Sequence, residues 1–212
     1  MIKVLIADDH SVVRSGIKQI LSDESDMQVA GEACNSQEVI EMVSKEQYDV
    51  LVLDITMPGK SGLEVLTDVK KIRSDIPILI LSMHPEEQFA VRALRSGASG
   101  YLTKESAPEE LVVAIRKING GGKYVSGSLA EVLAFDLEDR GKGRVIPHEN
   151  LSDREFQVLC LIASGKSVKE MAKELFLSVK TISTYRTRIL EKMKMKSNSE
   201  LTYYAIQNKL IG

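Results

Sequence analysis

The chain has 212 residues, of which 43% are hydrophobic and 27% charged, and its formal net charge is −2. That length suggests two modest domains, and the composition excludes a disordered or fibrous protein. The longest apolar runs, "VLVL" and "ILIL", fall far short of the roughly 20 residues that span a bilayer, and the N-terminus lacks a basic segment followed by a long apolar one, so no membrane association and a cytoplasmic location are expected.

The first part of the chain alternates short β-rich runs with amphipathic helical stretches. Five strands are predicted: "KVLIA" (3 to 7), "MQVAG" (27 to 31), "DVLVLD" (49 to 54), "PILILS" (77 to 82) and "SGYLT" (99 to 103). Helices fill the gaps at 11 to 22, 35 to 46, 61 to 73, 85 to 96 and 106 to 119, with Ser11, Asn35, Ser61 and Ser106 as N-terminal caps. The central strands are apolar at successive positions, as strands covered on both faces are. This is a (βα)5 α/β pattern, for which a doubly wound, flavodoxin-like parallel sheet of order 2-1-3-4-5 is expected. The runs "NGGGKYVSG" and "EDRGKGRVIPHEN" then break the pattern and mark a linker over 121–147, with a short helix in "SLAEVLAFDLED". From Leu151 onward the pattern is helical, at 152 to 163, 167 to 175, 179 to 193 and 199 to 209. The expected organisation is therefore an α/β domain over 1–120, the linker, and an all-α four-helix domain over 148–212. Cys34 and Cys160 lie far apart without CxxC spacing, so buried reduced thiols are expected instead of a disulfide or zinc site.

In a doubly wound sheet, ligands bind beyond the carboxyl ends of the strands where the strand order reverses, here between the first and third strands. The first strand ends in Asp8 and Asp9, and the third ends in Asp54. Two carboxylates about 4 Å apart repel by roughly 4 kcal/mol at an effective dielectric near 20, so the cluster calls for positive charge. A hard divalent cation with oxygen ligands, Mg²⁺ above all, meets that need. Ser82 and Lys104 fall on the same edge, after the fourth and fifth strands. A hydroxyl and an ammonium beside three carboxylates suit a phosphoryl site in which Asp54 is the nucleophile.

These residues resemble the receiver domain of two-component response regulators: "ADD" after the first strand, "DITMPGKSG" after the third, Ser82, and "GYLTK" ending in Lys104. The resemblance implies that Asp54 accepts a phosphoryl group from a sensor histidine kinase. It also implies that Asp9, Asp54 and the backbone carbonyl of Thr56 bind Mg²⁺, with Asp8 acting through water. Ser82 and Tyr101 match the switch pair of that family, in which the hydroxyl approaches the phosphoryl oxygen and the ring turns inward.

The charge is unevenly spread. Residues 1 to 147 carry 17 basic against 23 acidic side chains, while residues 148 to 212 carry 11 against 7. On a helical wheel of "VKTISTYRTRILEKM" (179 to 193), Ile182, Ile189 and Met193 form one stripe. Lys180, Thr184, Thr187 and Arg188 lie opposite, flanked by Ser183. Preceded by "SVKEMAKELF" and a short "LS" turn, this reads as a helix-turn-helix whose second helix enters a DNA major groove, with a solvated packing module as the alternative. The stretch from Leu151 to Ser197 resembles the LuxR-type output domain of the NarL/FixJ response regulators, including Leu151, Ser152, Arg154, Glu155, Gly165, Ala172 and Leu190. By that resemblance Ser183, Thr184 and Thr187 face the bases of double-stranded DNA, and Lys180, Thr181, Tyr185 and Arg188 lie nearer the backbone. It further implies a homodimer when phosphorylated or DNA-bound, and RNA polymerase as a further partner.

The sequence therefore reads as a phosphorylation-controlled transcription regulator and not as an enzyme. A phosphatase with an aspartate nucleophile would share Asp54 and Mg²⁺ but would usually carry Asp-x-Asp, whereas Asp54 is followed by Ile55 and Thr56. An interaction protein whose helices bind another protein would lack salt-dependent duplex binding.

Overall fold

In the computed structural model, which describes residues 1–141 and 146–211, the first part of the chain folds into five parallel strands. They are β1 (Ile2–Ala7), β2 (Met27–Ala33), β3 (Val50–Asp54), β4 (Ile78–Ser82) and β5 (Gly100–Thr103), in the order β2-β1-β3-β4-β5. Five helices follow them in turn: α1 (Ser11–Ser22), α2 (Ser36–Lys45), α3 (Gly62–Ile72), α4 (Glu86–Arg95) and α5 (Ala107–Asn119). The expected doubly wound order is the observed one.

Because side chains alternate along a strand, the sheet has two apolar faces. Val4, Ile6, Val50, Val52, Leu79, Leu81 and Leu102 pack with Ile17 and Leu21 of α1 and with Leu111, Ala114, Ile115 and Ile118 of α5. Leu5, Leu51, Leu53, Ile78, Ile80 and Tyr101 have the opposite parity and are equally buried. With both faces covered, the central strands read as unbroken apolar runs.

Two of the four predicted caps form as expected. Asn35 accepts from the Glu38 N–H, and Ser61 makes a capping box with Glu64. Ser11 instead begins α1 as its first helical residue, and His10 occupies the cap position without a side-chain bond. Ser106 has helical backbone angles at the start of α5, and its hydroxyl bonds to Thr103 rather than to the helix.

The first compact unit runs from Met1 to Leu129, past the glycine-rich break near 120. Tyr124 is the physical reason. Its N–H donates to the Ser99 carbonyl at 2.8 Å, it forms an isolated parallel bridge with Gly100, and its ring joins the α1/α5 core. Glu86, buried at the start of α4, accepts hydrogen bonds from Ser126 and Ser128. The helix α6 (Gly127–Gly141) begins here.

The second unit, Ala130–Gly212, contains a 3₁₀ turn (Pro147–Asn150), α7 (Asp153–Ala163), α8 (Val168–Glu174), α9 (Val179–Met193) and α10 (Asn198–Gln207). Ser152 and Ser167 make capping boxes with Glu155 and Glu170, while Ser178 and Ser197 cap α9 and α10. Ile182, Ile189 and Met193, the predicted stripe, are buried, as are Leu201 and Ala205 of α10. No helix among the described residues is long and apolar enough to cross a membrane.

Candidate functional site

The strand order places the ends of β1 and β3 side by side, in register from Val4↔Val50 to Ala7↔Leu53. The chain leaves β1 at Asp8 and Asp9 and leaves β3 at Asp54, so three carboxylates meet at this edge. Asp8 is 1% exposed and Asp54 2% exposed. One ligand atom each from Asp8, Asp9, His10 and Asp54 lie within 4.8 Å of one another. His10 Nδ1 is 2.9 Å from Asp9 Oδ1 and 3.2 Å from Asp8 Oδ1.

Lys104 follows β5, and its backbone N–H donates to the Ser82 carbonyl at 2.8 Å. Its ammonium reaches across the edge to Asp54 Oδ2 at 2.7 Å and Asp8 Oδ2 at 2.6 Å. The contact with Asp54 is a hydrogen bond, whereas that with Asp8 is an ion pair without hydrogen-bond alignment. Burial pushes the Asp54 carboxyl up from 3.8 to about 6, with Lys104 pulling the other way and Asp8 adding to the rise. Burial alone would depress the lysine, but Asp54 and Asp8 outweigh it and hold Lys104 above its ordinary value.

The donor set fits a hard divalent cation. Asp8 Oδ2 and Asp9 Oδ1 are buried without a hydrogen-bond partner, and the Asp54 carboxylate is desolvated beside another acid. Carboxylate oxygens of this kind are Mg²⁺ ligands. Thr56 is close by, its N–H donating to Asp54 Oδ1 at 3.1 Å.

The local backbone is shaped to hold Asp54 in place. The Gly62 N–H donates to the Ile55 carbonyl at 2.8 Å, and a Cβ at Gly62 would collide with the Asp54 carbonyl. Only glycine lets α3 start so close to the end of β3.

Ser82 and Tyr101 lie on the same sheet face, β4 pairing with β5 through Ile80↔Tyr101 and Ser82↔Thr103. The Ser82 hydroxyl accepts from the His84 N–H at 3.0 Å, and Tyr101 donates to the His84 carbonyl at 2.8 Å. The Tyr101 ring is fully buried, which raises its pKa.

In the second unit, Lys180, Ser183, Thr184, Thr187 and Arg188 of α9 are exposed, and Thr181 and Tyr185 are half-buried. Thr181 is drawn into the cap, with its N–H donating to Ser178 Oγ at 3.0 Å. The turn before α9 is a tight reversal in which the Leu177 N–H bonds the Ala172 carbonyl and Phe176 has a φ of +55°.

Residues 4–116 match the family described as "Response regulator receiver domain", and residues 149–205 match "Bacterial regulatory proteins, luxR family". The chain belongs to the response regulators. This response regulator is 36% identical to the response regulator UvrY of Escherichia coli K12 over 99% of its own length and 96% of that protein. It is 37% identical to the oxygen regulatory protein NreC of Staphylococcus carnosus, with 99% of each chain covered. Among solved structures, it resembles RcsB of Salmonella enterica serovar Typhimurium bound to the promoter rprA with the phosphomimetic BeF3⁻, at 28% identity and a TM-score of 0.64, covering 96% and 97% of the two chains.

All the residues singled out at the strand ends of this response regulator converge on one edge. Sequence reasoning passed over His10, Arg14, His84 and Glu86. Arg14 donates to the Asp8 carbonyl at 2.7 Å and pairs with Glu32, so it braces the β1 end from α1. The only signal for His10 was its place next to "DD"; His84 and Glu86 left none, since His84 meets Ser82 and Tyr101 through its own backbone N–H and carbonyl and Glu86 accepts from two linker serines.

Proposed function

We propose that this chain is a phosphorylation-controlled, sequence-specific DNA-binding transcription regulator, in which Asp54 accepts a phosphoryl group from a sensor histidine kinase and α9 reads the operator. The observation that carries this reading is the buried Asp54 carboxylate, held by Lys104 among acids at the one sheet edge where the strand order reverses. In the transfer, an Asp54 oxygen attacks phosphorus, a P–O bond forms as the P–N bond of the phosphohistidine breaks, and the imidazole leaves. Lys104 neutralises charge on the phosphoryl oxygens, and the Ser82 hydroxyl donates to one of them. Asp9, Asp54 and the Thr56 carbonyl would hold Mg²⁺, with Asp8 acting through water, and the cation would supply the further positive charge that the three carboxylates require.

Phosphorylation then shifts a pre-existing equilibrium of the receiver through Ser82 and Tyr101. In the second unit, Ser183, Thr184 and Thr187 face the bases, with Lys180, Thr181, Tyr185 and Arg188 nearer the phosphates. RcsB has been solved as two dimers on two parallel DNAs, which supports a homodimer on DNA here. RNA polymerase is a further partner on this reading, and the site works stoichiometrically and not as a turnover enzyme. We take 1–120 as the receiver, with 121–129 packed onto it in the same compact unit, the rest of 121–147 as the linker and 148–212 as the DNA-binding domain.

Labelling with a phosphodonor tests the site. Wild type should label only with Mg²⁺, Asp54→Ala should not label, and Asp9→Ala should lose labelling while keeping Asp54; normal labelling of Asp9→Ala would overturn the assignment. A genome-wide binding map of wild type against Asp54→Ala tests phosphate control and DNA binding together.

A further inference from the structure

The three hydroxyls on the outer face of α9 have committed their hydrogens inward. Ser183 Oγ donates to the Val179 carbonyl at 2.9 Å, Thr184 Oγ1 to the Lys180 carbonyl at 3.0 Å, and Thr187 Oγ1 to the Ser183 carbonyl at 3.2 Å. All three side chains are exposed. What they turn outward is therefore oxygen lone pairs and, at Thr184 and Thr187, a methyl group. The stretch from Val179 to Arg188 contains no Asn or Gln, and its exposed cations, Lys180 and Arg188, stand at either end of this hydroxylic patch.

In the major groove the base edges differ in what they offer. Guanine presents only acceptors, N7 and O6; adenine and cytosine each present an exocyclic amine; thymine presents a methyl group beside its O4 acceptor. A hydroxyl that stays bonded to its own helix can accept from an amine and lose nothing. To meet guanine it must swing its hydrogen outward and give up the bond to the carbonyl four residues back.

We propose, on the reading that α9 lies in a major groove, that Ser183, Thr184 and Thr187 read DNA as acceptors and methyls. They select adenine or cytosine amines and thymine methyl groups, and they discriminate against guanine at the base edges they face. Any guanine required by the operator is read from the ends of the patch, by Arg188 or Lys180.

The test uses the full-length protein phosphorylated by a small-molecule donor with Mg²⁺, and duplexes selected from a random pool. In the selected site, thymine is replaced singly by uracil, which deletes the methyl, adenine by unsubstituted purine, which deletes the amine, and guanine by 7-deazaguanine, which deletes N7. The positions facing each hydroxyl are those whose replacement effect disappears in Ser183→Ala, Thr184→Ala or Thr187→Ala. At those positions uracil should weaken wild-type binding about fourfold per methyl, purine should weaken it comparably, and 7-deazaguanine should have no effect. Thr184→Val and Thr187→Val, which keep the methyl, should retain the uracil effect and lose the purine effect. Salt-dependent binding to unselected duplex, measured for every variant, shows that it is folded.

Guanine required at those positions, with a 7-deazaguanine loss that vanishes in the alanine variants, would overturn the inference and leave α9 as the DNA-reading helix. No enrichment of any duplex would overturn the DNA-reading role of α9 itself, and the inference with it.

Discussion

Replacing Asp54 by Asn should stabilise the first unit in the absence of Mg²⁺, by an amount that grows with pH. Burial lifts the Asp54 carboxyl from 3.8 to about 6. A rise of roughly two units corresponds to about 3 kcal/mol, since one unit is 1.36 kcal/mol between protonation states. The sign follows from proton counting. Between about pH 4 and pH 6 the folded chain holds the Asp54 proton and the unfolded chain has released it, so wild-type stability falls as pH rises through that window. Asparagine resembles the neutral carboxyl and carries no such penalty. Lys104 is not orphaned by the change, because Asp8 remains 2.6 Å away. The variant and wild type should therefore be nearly equal in stability at pH 4, and the variant more stable by about 3 kcal/mol at pH 8. Hydrogen exchange of the β1 and β3 amides, corrected for the intrinsic pH dependence, confines the measurement to this sheet. An Asp54→Asn chain no more stable than wild type at pH 8, or equally stabilised at both pH values, would refute the argument.

Three other changes have outcomes set by local geometry. Gly62→Ala forces a Cβ into the Asp54 carbonyl, so the first unit should lose about 1–3 kcal/mol in thermal or chemical unfolding, with slower phosphoryl labelling of the displaced Asp54. In the second unit, burial raises the Glu155 carboxyl, but the Lys192 ammonium at 2.6 Å and the Ser152 N–H outweigh it and hold the group below its usual value. Lys192 is 41% exposed, so Lys192→Met should cost only about 1 kcal/mol near neutral pH, and the difference should fade as the pH falls below 4.5 and Glu155 takes up a proton. A difference that persisted in acid would show that the lost contact is packing and not charge. Phe176→Asn relieves a φ of +55° at a side chain that is half exposed, and the melting temperature of the second unit should rise, by the equivalent of about 1 kcal/mol. A lower melting temperature would mean that the ring packs more than its exposure indicates.

The sequence by itself carried the periodicities and the chemistry. Alternating strand and helix patterns gave the strand count, unbroken apolar runs such as "VLVL" marked the strands buried on both faces, and Asp8, Asp9, Asp54, Ser82 and Lys104 each stood at a strand end. The α9 stripe of Ile182, Ile189 and Met193 was legible for the same reason, since burial of one helix face writes a 3.6-residue repeat into the chain. Only the tertiary structure decided what depends on partners distant in sequence. Tyr124 looked like part of a glycine-rich linker until its bond to Ser99 and its packing on α5 drew it into the first unit, and Glu86 is buried by serines 40 and 42 residues away. Helix starts showed the same limit: Ser61 caps its helix, whereas Ser106 turns back to Thr103, and a short polar side chain has both options until the neighbouring strand end is in place. The site divides in the same way. Residue types announced three acids and a lysine, but that Lys104 bridges Asp8 and Asp54, and that burial lifts one of those acids to about 6, follows from which strand ends are neighbours and how little water reaches them.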